Sequence, residues 1–299
     1  MVLKVISTSS YYSRSNHALA MALERIPSKT WTMLARRNLA IHPQVWNNIR
    51  AGVKVRNFVM DEVVGMTGLD TCDNDLHTDE DSKFYDSKEC SGCHSVVYCS
   101  EACQKSDWAT RHRYECDVMR RSRYVRRRNG VRYSQAARHF HTKCAWFGIN
   151  NVASELASSY PQGRPINEFI IIVNNTVSKL NSSAPSHSSV AVRDLNEHLE
   201  ARRVGVLSSC PAADERYWKI INDYRLTTSK RKRLAEAFFC YNAQYRIAIL
   251  AEFEREGPAS QRSNWKMCRS VVRFEFLDPE YLRKTTELPM EPMGFLVDF

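Results

Sequence analysis

The sequence predicts a mainly α-helical protein with a small cysteine-rich module near residue 100 and a helix-rich C-terminal region that carries a few strands. Three observations lead there. Apolar residues recur at helical spacing on both sides of the module; six of the ten cysteines fall between Cys72 and Cys116; and only two segments, near residues 170 and 275, have the short β-branched character of strands.

Taken in chain order, SNHALAMALERI (residues 15 to 26) places Leu19, Met21, Leu23 and Ile26 at helical spacing, and Pro27 ends the helix. A second helical stretch runs from about Gln44 to Val64, broken at Gly52. Residues 65 to 89 lose periodicity and fill with Asp, Asn, Thr and Ser, so any order there must come from something other than a core. After the cysteines, residues 132 to 159 read as a long helix, and EFIIIVNN (168 to 175) as a buried strand. Residues 181 to 189 read as a loop, and 194 to 203 and 212 to 225 as helices. Residues 229 to 256 also read as a helix, with Leu234, Ala237, Phe238, Tyr241, Tyr245, Ile247, Leu250 and Phe253 as its apolar positions. SVVRFEFL (270 to 277) alternates like a strand before a turn at Asp278 and Pro279. The division expected is a helical segment 1–66, a cysteine-rich finger 67–117 and a helix-rich region 118–299.

The stretch CSGCHSVVYCSEACQKSDWATRHRYEC (90 to 116) holds Cys90, Cys93, Cys99, Cys103, His112 and Cys116. A structural zinc takes four Cys or His ligands, so six are too many for one ion and too few for two. Cys90 and Cys93 form a CxxC step, while Cys99/Cys103 and His112/Cys116 are each one helical turn apart and so point to one side. The upstream CDNDLH supplies a fourth pair, Cys72 and His77, which brings the count to the eight ligands that two closed sites require.

These residues resemble the MYND-type zinc finger. CSGC, then Tyr98-Cys99-Ser100, Cys103-Gln104, Asp107-Trp108 and the closing HRYEC stand at the spacings of that family, over about residues 67 to 117. Two departures are visible: His77 stands where the first pair has its second cysteine, and the stretch from Cys103 to His112 is one residue longer than the shortest family spacing. The longer spacing and the RRSRYVRRRNGVRYS that follows are similar to fungal, mushroom-type members. The resemblance implies a short hairpin and helix around two interleaved zinc ions. Cys72, His77, Cys99 and Cys103 would hold one, and Cys90, Cys93, His112 and Cys116 the other. An alternative leaves Cys72 and His77 idle and fills only the second site. Both sites would be closed, hence structural rather than catalytic.

The resemblance further implies a protein-interaction role, in which short proline-containing peptides add as a strand beside the hairpin and touch Gln104 and Trp108. Trp108 could equally be core packing, and Tyr98 is read as packing. The same finger occurs inside lysine methyltransferases, but the glycine-rich turn and the NHxC motif of those enzymes are not in this sequence, and there is no GxSxG, P-loop or GxGxxG. The expectation is a non-enzymatic protein. His139 and His141 lie in a helical pattern on different faces and do not make a metal pair, and His94 is read as exposed.

Composition, 43% hydrophobic and 25% charged, is that of a folded chain, and no run approaches the length of a membrane span. The N-terminus lacks the apolar core of a secretory signal, and cysteines clustered at metal spacing suit a reducing compartment, so an intracellular protein is expected. Cys144, Cys210, Cys240 and Cys268 are read as small buried hydrophobes. The net charge of +10 is concentrated in Arg113, Arg120, Arg121, Arg123, Arg126, Arg127, Arg128 and Arg132. With Tyr124 and Tyr133 interleaved, the run 120–132 offers nucleic acid as an alternative partner. Its bland counterpart is a solvated helix face or a patch that pairs with the acidic stretch Asp70 to Asp86. SKRKR (229 to 233), an import-like motif, opens the last predicted helix.

Overall fold

The computed structural model describes residues 13–25, 72–77, 88–156, 160–174, 189–203, 206–208, 210–241, 245–256 and 264–277, with scattered positions between 27 and 57. Most of the predicted helix at 44–64, most of the polar stretch 65–89, the loop at 181–188 and the turn at Asp278 and Pro279 lie outside these residues, the described positions 50, 52–54 and 57 being helical.

A first helix, α1 (Ser13–Glu24), forms where the apolar spacing places it. The finger begins with a two-stranded hairpin, β1 (Lys88–Glu89) against β2 (Val97–Tyr98). It continues as one helical rod: α2 (Glu101–Asp107), a π-helical turn (Trp108–His112) and α3 (Arg113–Arg128). Ser100 starts the rod by accepting a hydrogen bond from the Cys103 N–H on its hydroxyl, which satisfies one of the orphan donors of a helix start. The π turn falls in the interval that is one residue longer than the shortest MYND spacing. A π turn takes up one extra residue without breaking the helix, so His112 and Cys116 still arrive on the side that carries the metal site.

The rod ends at a Schellman turn. Gly130 has φ 75°, the Gly130 N–H donates to Arg127 O and the Val131 N–H to Arg126 O. A side chain at position 130 would meet that left-handed backbone with strain. The turn drops the chain into α4 (Gln135–Leu156). Then come β3 (Phe169–Asn174), β4 (Ser189–Asp194), α5 (Leu195–Arg203), β5 (Val206–Ser208) and α6 (Pro211–Leu226). The described chain closes with β6 (Lys232–Cys240), β7 (Tyr245–Glu256) and β8 (Asn264–Leu277).

These strands form one mixed six-stranded sheet in the order β4-β3-β6-β7-β8-β5, with β3 and β6 parallel and every other pair antiparallel. The expectation of a mainly α protein is therefore corrected: the C-terminal region is built on a sheet. The predicted helix at 229–256 is in fact the antiparallel pair β6 and β7, and SKRKR runs into the start of β6 rather than opening a helix. Leu234 to Phe239 and Ile247 to Phe253 are buried without interruption, because both faces of these central strands are covered. Such strands read as continuous apolar runs, whose members also satisfy a helical period. Alanines, glutamates and arginines within them strengthen the misleading helical signal. Strands β4 and β5 are further elements that the sequence reading passed over.

One sheet face, with Ile171, Val173, Phe239, Ile249 and Phe253, packs on α4 through Phe140, Cys144, Ala145 and Ile149. The other, with Ile170, Ile172, Leu234, Leu250 and Val271, packs on α5 and α6. That second core runs on without a break into the finger, where Val96, Tyr98 and Met119 join Ala212, Ala213 and Tyr217. Helix α3 passes through residue 117, the end of the finger expected from sequence, and continues into the rest of the chain. Cys144 and Cys210 are buried as expected and Cys268 is half-buried; the side chain of Cys240 lies outside the described residues.

Candidate metal centre

Ligand placement follows from local structure. In CDNDLH a tight turn, with the His77 N–H donating to Asn74 O and the Leu76 N–H to the Asn74 side chain, folds His77 back toward Cys72. At CSGC the His94 N–H donates to Cys90 O, and His94 takes the left-handed φ of 52° that lets the knuckle close. A Cβ on Gly92 would stand 3.0 Å from the Cys116 Sγ, so this position needs glycine for space. The helical rod supplies Cys103 to one cluster and His112 and Cys116 to the other.

The structure gathers Cys72, His77, Cys99 and Cys103 in one cluster and Cys90, Cys93, His112 and Cys116 in another, with the ligand atoms of each within 4.8 Å of one another. All eight sequence-predicted ligands are thus brought together, crossed as the resemblance implied, and Cys72 and His77 are not idle bystanders. Tetrahedral zinc, with sulfur at about 2.3 Å and nitrogen at about 2.0 Å, spaces its ligands roughly 3.8 Å apart for S···S and roughly 3.5 Å for N···S. Cys99 and Cys103 sulfurs are 3.5 Å apart, and His77 Nδ1 is 3.3 and 3.5 Å from them. In the second cluster Cys90 and Cys116 sulfurs are 3.8 Å apart and Cys93 Sγ is 3.5 Å from His112 Nε2. These are the edge lengths of a zinc tetrahedron, so the donors fit two zinc ions.

Thiol electrostatics agree with a metal requirement. Burial pushes the Cys93 thiol up to about 12 and Cys72 well above its ordinary value. For Cys90 burial is outweighed by the Cys93 and Gly92 N–H groups and His112, which bring it down to about 7. Cys103 likewise falls to about 7, because His77, Ser100 and Asn74 outweigh its burial. Each cluster so holds one ready thiolate, and a cation is needed to make the neighbouring thiols ionise.

Behind the ligands lies a set of charges that sequence reasoning missed. Glu115 Oε2 is 3.7 Å from His112 Nδ1 and receives Arg216 of α6 at 2.9 and 2.6 Å. Arg216 also bonds Asp107 at 2.8 Å and the backbone oxygen of Asp73, while Tyr98 donates to Asp107 at 2.7 Å. Asp73 accepts from the Val97 N–H at 2.7 Å and from both terminal nitrogens of Arg138 of α4, at 2.7 and 2.8 Å. All these carboxylates and both guanidinium groups are buried. Burial would raise the Asp73 and Glu115 carboxyls; Arg138 for the first, and His112 with Arg216 for the second, hold both below the usual range. The signal available in sequence was faint: Asp73 and Glu115 each adjoin a ligand cysteine.

Gln104 and Trp108 stand one helical turn apart on the rod. Trp108 is 47% exposed, its ring edge-on to His112 at 5.8 Å, so it is not core packing; Tyr98, wholly buried, is. His94 is exposed as expected. His141 is buried and stacked on Phe239 while His139 is half-buried, so the two make no metal pair. In the arginine run, Arg120 and Arg121 pair with Asp117, Arg126 is buried, and Tyr133 is stacked on His141.

Eight crossed Cys/His ligands on a hairpin, a knuckle and one helix define a two-site structural zinc module with no open coordination position. Residues 72–116 match the family model of the MYND finger, so that segment of the chain is a MYND-type zinc finger. No curated protein and no solved structure matches the chain. Among the described residues no helix is long and apolar enough to cross a membrane.

Proposed function

We propose that this protein is a non-enzymatic, intracellular interaction protein whose two zinc ions, ligated by the eight residues above, hold a surface that recognises short proline-containing peptides. The observation that carries the reading is the exposure of Trp108, which lies against the ligand His112 and shares a helix face with Gln104. A large indole left in solvent by a rigid, metal-held frame is the kind of anchor that peptide and protein interfaces use. Four protein ligands in each cluster leave zinc no position for water or substrate, which supports a structural role. Nucleic acid is the weaker reading, since Arg126 and Tyr133 of the run face inward.

The test is fluorescence anisotropy of a proline-containing peptide library against the zinc-loaded full chain. Peptides that bind wild type should lose at least roughly tenfold in affinity with Trp108→Ala. Unchanged binding in that variant removes the indole face from the interface, and the reading with it.

A further inference from the structure

Away from Trp108, a cleft of about 490 Å³ opens where the finger, α3, the start of α4, α6 and β8 meet. Its volume is in the range of small-molecule sites. Its floor is apolar, with Met119, Val131, Val271 and Phe274. Six arginines line it: Arg123, Arg126, Arg127, Arg132, Arg138 and Arg216. Two are already neutralised, Arg138 by Asp73 and Arg216 by Glu115 and Asp107. The other four have no acidic partner among the described residues.

Arg126 is the telling member. It is only 8% exposed, lines the cleft, and stacks its guanidinium 4.1 Å from the centre of the Phe274 ring. Burial lowers its pKa to about 10, the mark of a cation taken out of water without a counter-charge. A buried charge is costly unless paired, and a ring face offsets only part of that cost. A second feature converges on the same space. Ser134 to Ala137, the beginning of the 22-residue helix α4, line the cleft. The Ser134 hydroxyl takes the Ala137 N–H, while the N–H groups of Gln135 and Ala136 have no partner within the helix. Such a helix start attracts anions.

We propose that this cleft binds a small organic phosphate, a phosphomonoester carried on an apolar or planar body. The phosphate would sit between Arg126, Arg132 and the start of α4, with the body on the Met119, Val131 and Phe274 floor. Guanidinium groups give bidentate, charge-assisted bonds to phosphate, and four free positive charges suit a dianion better than a carboxylate. The cleft is much larger than an inorganic ion, which is why an organic body is part of the assignment. The site is separate from the Trp108 surface and does not depend on the peptide-binding reading.

The experiment is isothermal titration of the zinc-loaded full chain with phenyl phosphate, beside inorganic phosphate, benzoate and a single-stranded oligonucleotide. Phenyl phosphate should bind saturably, at least roughly tenfold more tightly than inorganic phosphate or benzoate, and lose roughly tenfold or more in Arg126→Met. Arg127 and Arg132 are exposed, so the Arg127→Gln/Arg132→Gln variant keeps its fold, and a several-fold loss there supports the site even where Arg126→Met does not fold. Trp108→Ala should leave phenyl phosphate binding unchanged. No saturable binding at millimolar phenyl phosphate, or equal affinity in the double variant, overturns the proposal. So does an oligonucleotide that binds far more tightly than phenyl phosphate, which would make the cleft a nucleic-acid surface.

Discussion

Arg216 grips Glu115 with two hydrogen bonds, of 2.9 and 2.6 Å, across 101 positions of sequence, and Glu115 in turn stands 3.7 Å from the Nδ1 of His112. The relationship makes α6 of the sheet domain an outer support for a zinc ligand. At 3.7 Å the Glu115 carboxylate is beyond hydrogen-bond reach of Nδ1, so it faces the ligand ring as a negative charge, and Arg216 fixes that carboxylate in place. With Arg138 on Asp73, it also joins finger and sheet through buried, fully desolvated pairs.

Arg216→Met leaves Asp107 buried without its cation and Glu115 with only the more distant Arg111, 3.6 Å away. Removing one partner of a buried pair costs about 3 to 5 kcal/mol, so thermal denaturation of the zinc-loaded chain should shift strongly downward. Glu115→Ala should be milder in stability but weaken zinc at the second site by roughly 10- to 100-fold, read by chelator competition. A normal zinc affinity in Glu115→Ala would show that the carboxylate serves only the salt bridge.

Native mass spectrometry of the full chain should find two zinc ions, and His77→Ala should hold one. Each structural zinc contributes on the order of 10 kcal/mol in small zinc peptides, so the variant should also lose the order of residues 72–77. His77→Cys should restore the second ion, because thiolate and imidazole are both competent zinc donors. Two ions retained in His77→Ala would leave Cys72, Cys99 and Cys103 as the whole protein contribution.

Gly92→Ala should distort the second site, since the added Cβ would meet the Cys116 sulfur at 3.0 Å. Both are fixed, one by its knuckle and one by its helix, so the overlap should cost about 1 to 3 kcal/mol. Cobalt substitution offers a direct view: the thiolate charge-transfer bands of the variant should fall or shift, while those from the first cluster persist.

Acid should dismantle the protein in two stages. Zinc ligands must be deprotonated, so metal affinity falls as pH falls and zinc leaves first, in mildly acidic solution. The sheet persists to lower pH. Glu236 is fully buried and burial alone would raise its carboxyl, but Arg202 and His198 bring it from an ordinary 4.5 down to about 2. A carboxyl depressed in the folded state contributes stability that is complete above 4.5 and drains away between 4.5 and about 2. Zinc release followed by dye should therefore precede loss of near-UV circular dichroism, and coincident transitions would contradict the order.

The buried charges also mark the limit of sequence reading in the C-terminal region. Arg202 of α5 bonds Glu236 of β6 at 2.8 Å and also pairs with Glu275 of β8, which Arg246 of β7 holds at 2.8 Å. Glu236 and Arg246 fall between the apolar positions of the helix predicted at 229–256, and charges at such intervals suit an amphipathic helix as well as a strand.

By itself the sequence determined the finger. Cys90-x-x-Cys93, Cys99 and Cys103 one turn apart, and His112 and Cys116 one turn apart are local spacings, and a metal ion needs only local geometry to gather them. Even the extra residue before His112 was visible, though not the π turn that takes it up. Only the tertiary structure decided that Lys232–Cys240 and Tyr245–Glu256 are strands, that Arg216 and Arg138 clamp the finger to the sheet, and that Arg126 lies buried in a cleft with no acidic partner among the described residues. Those outcomes rest on contacts between distant residues, where burial on two faces outweighs helical propensity and pairs charges that no short spacing connects.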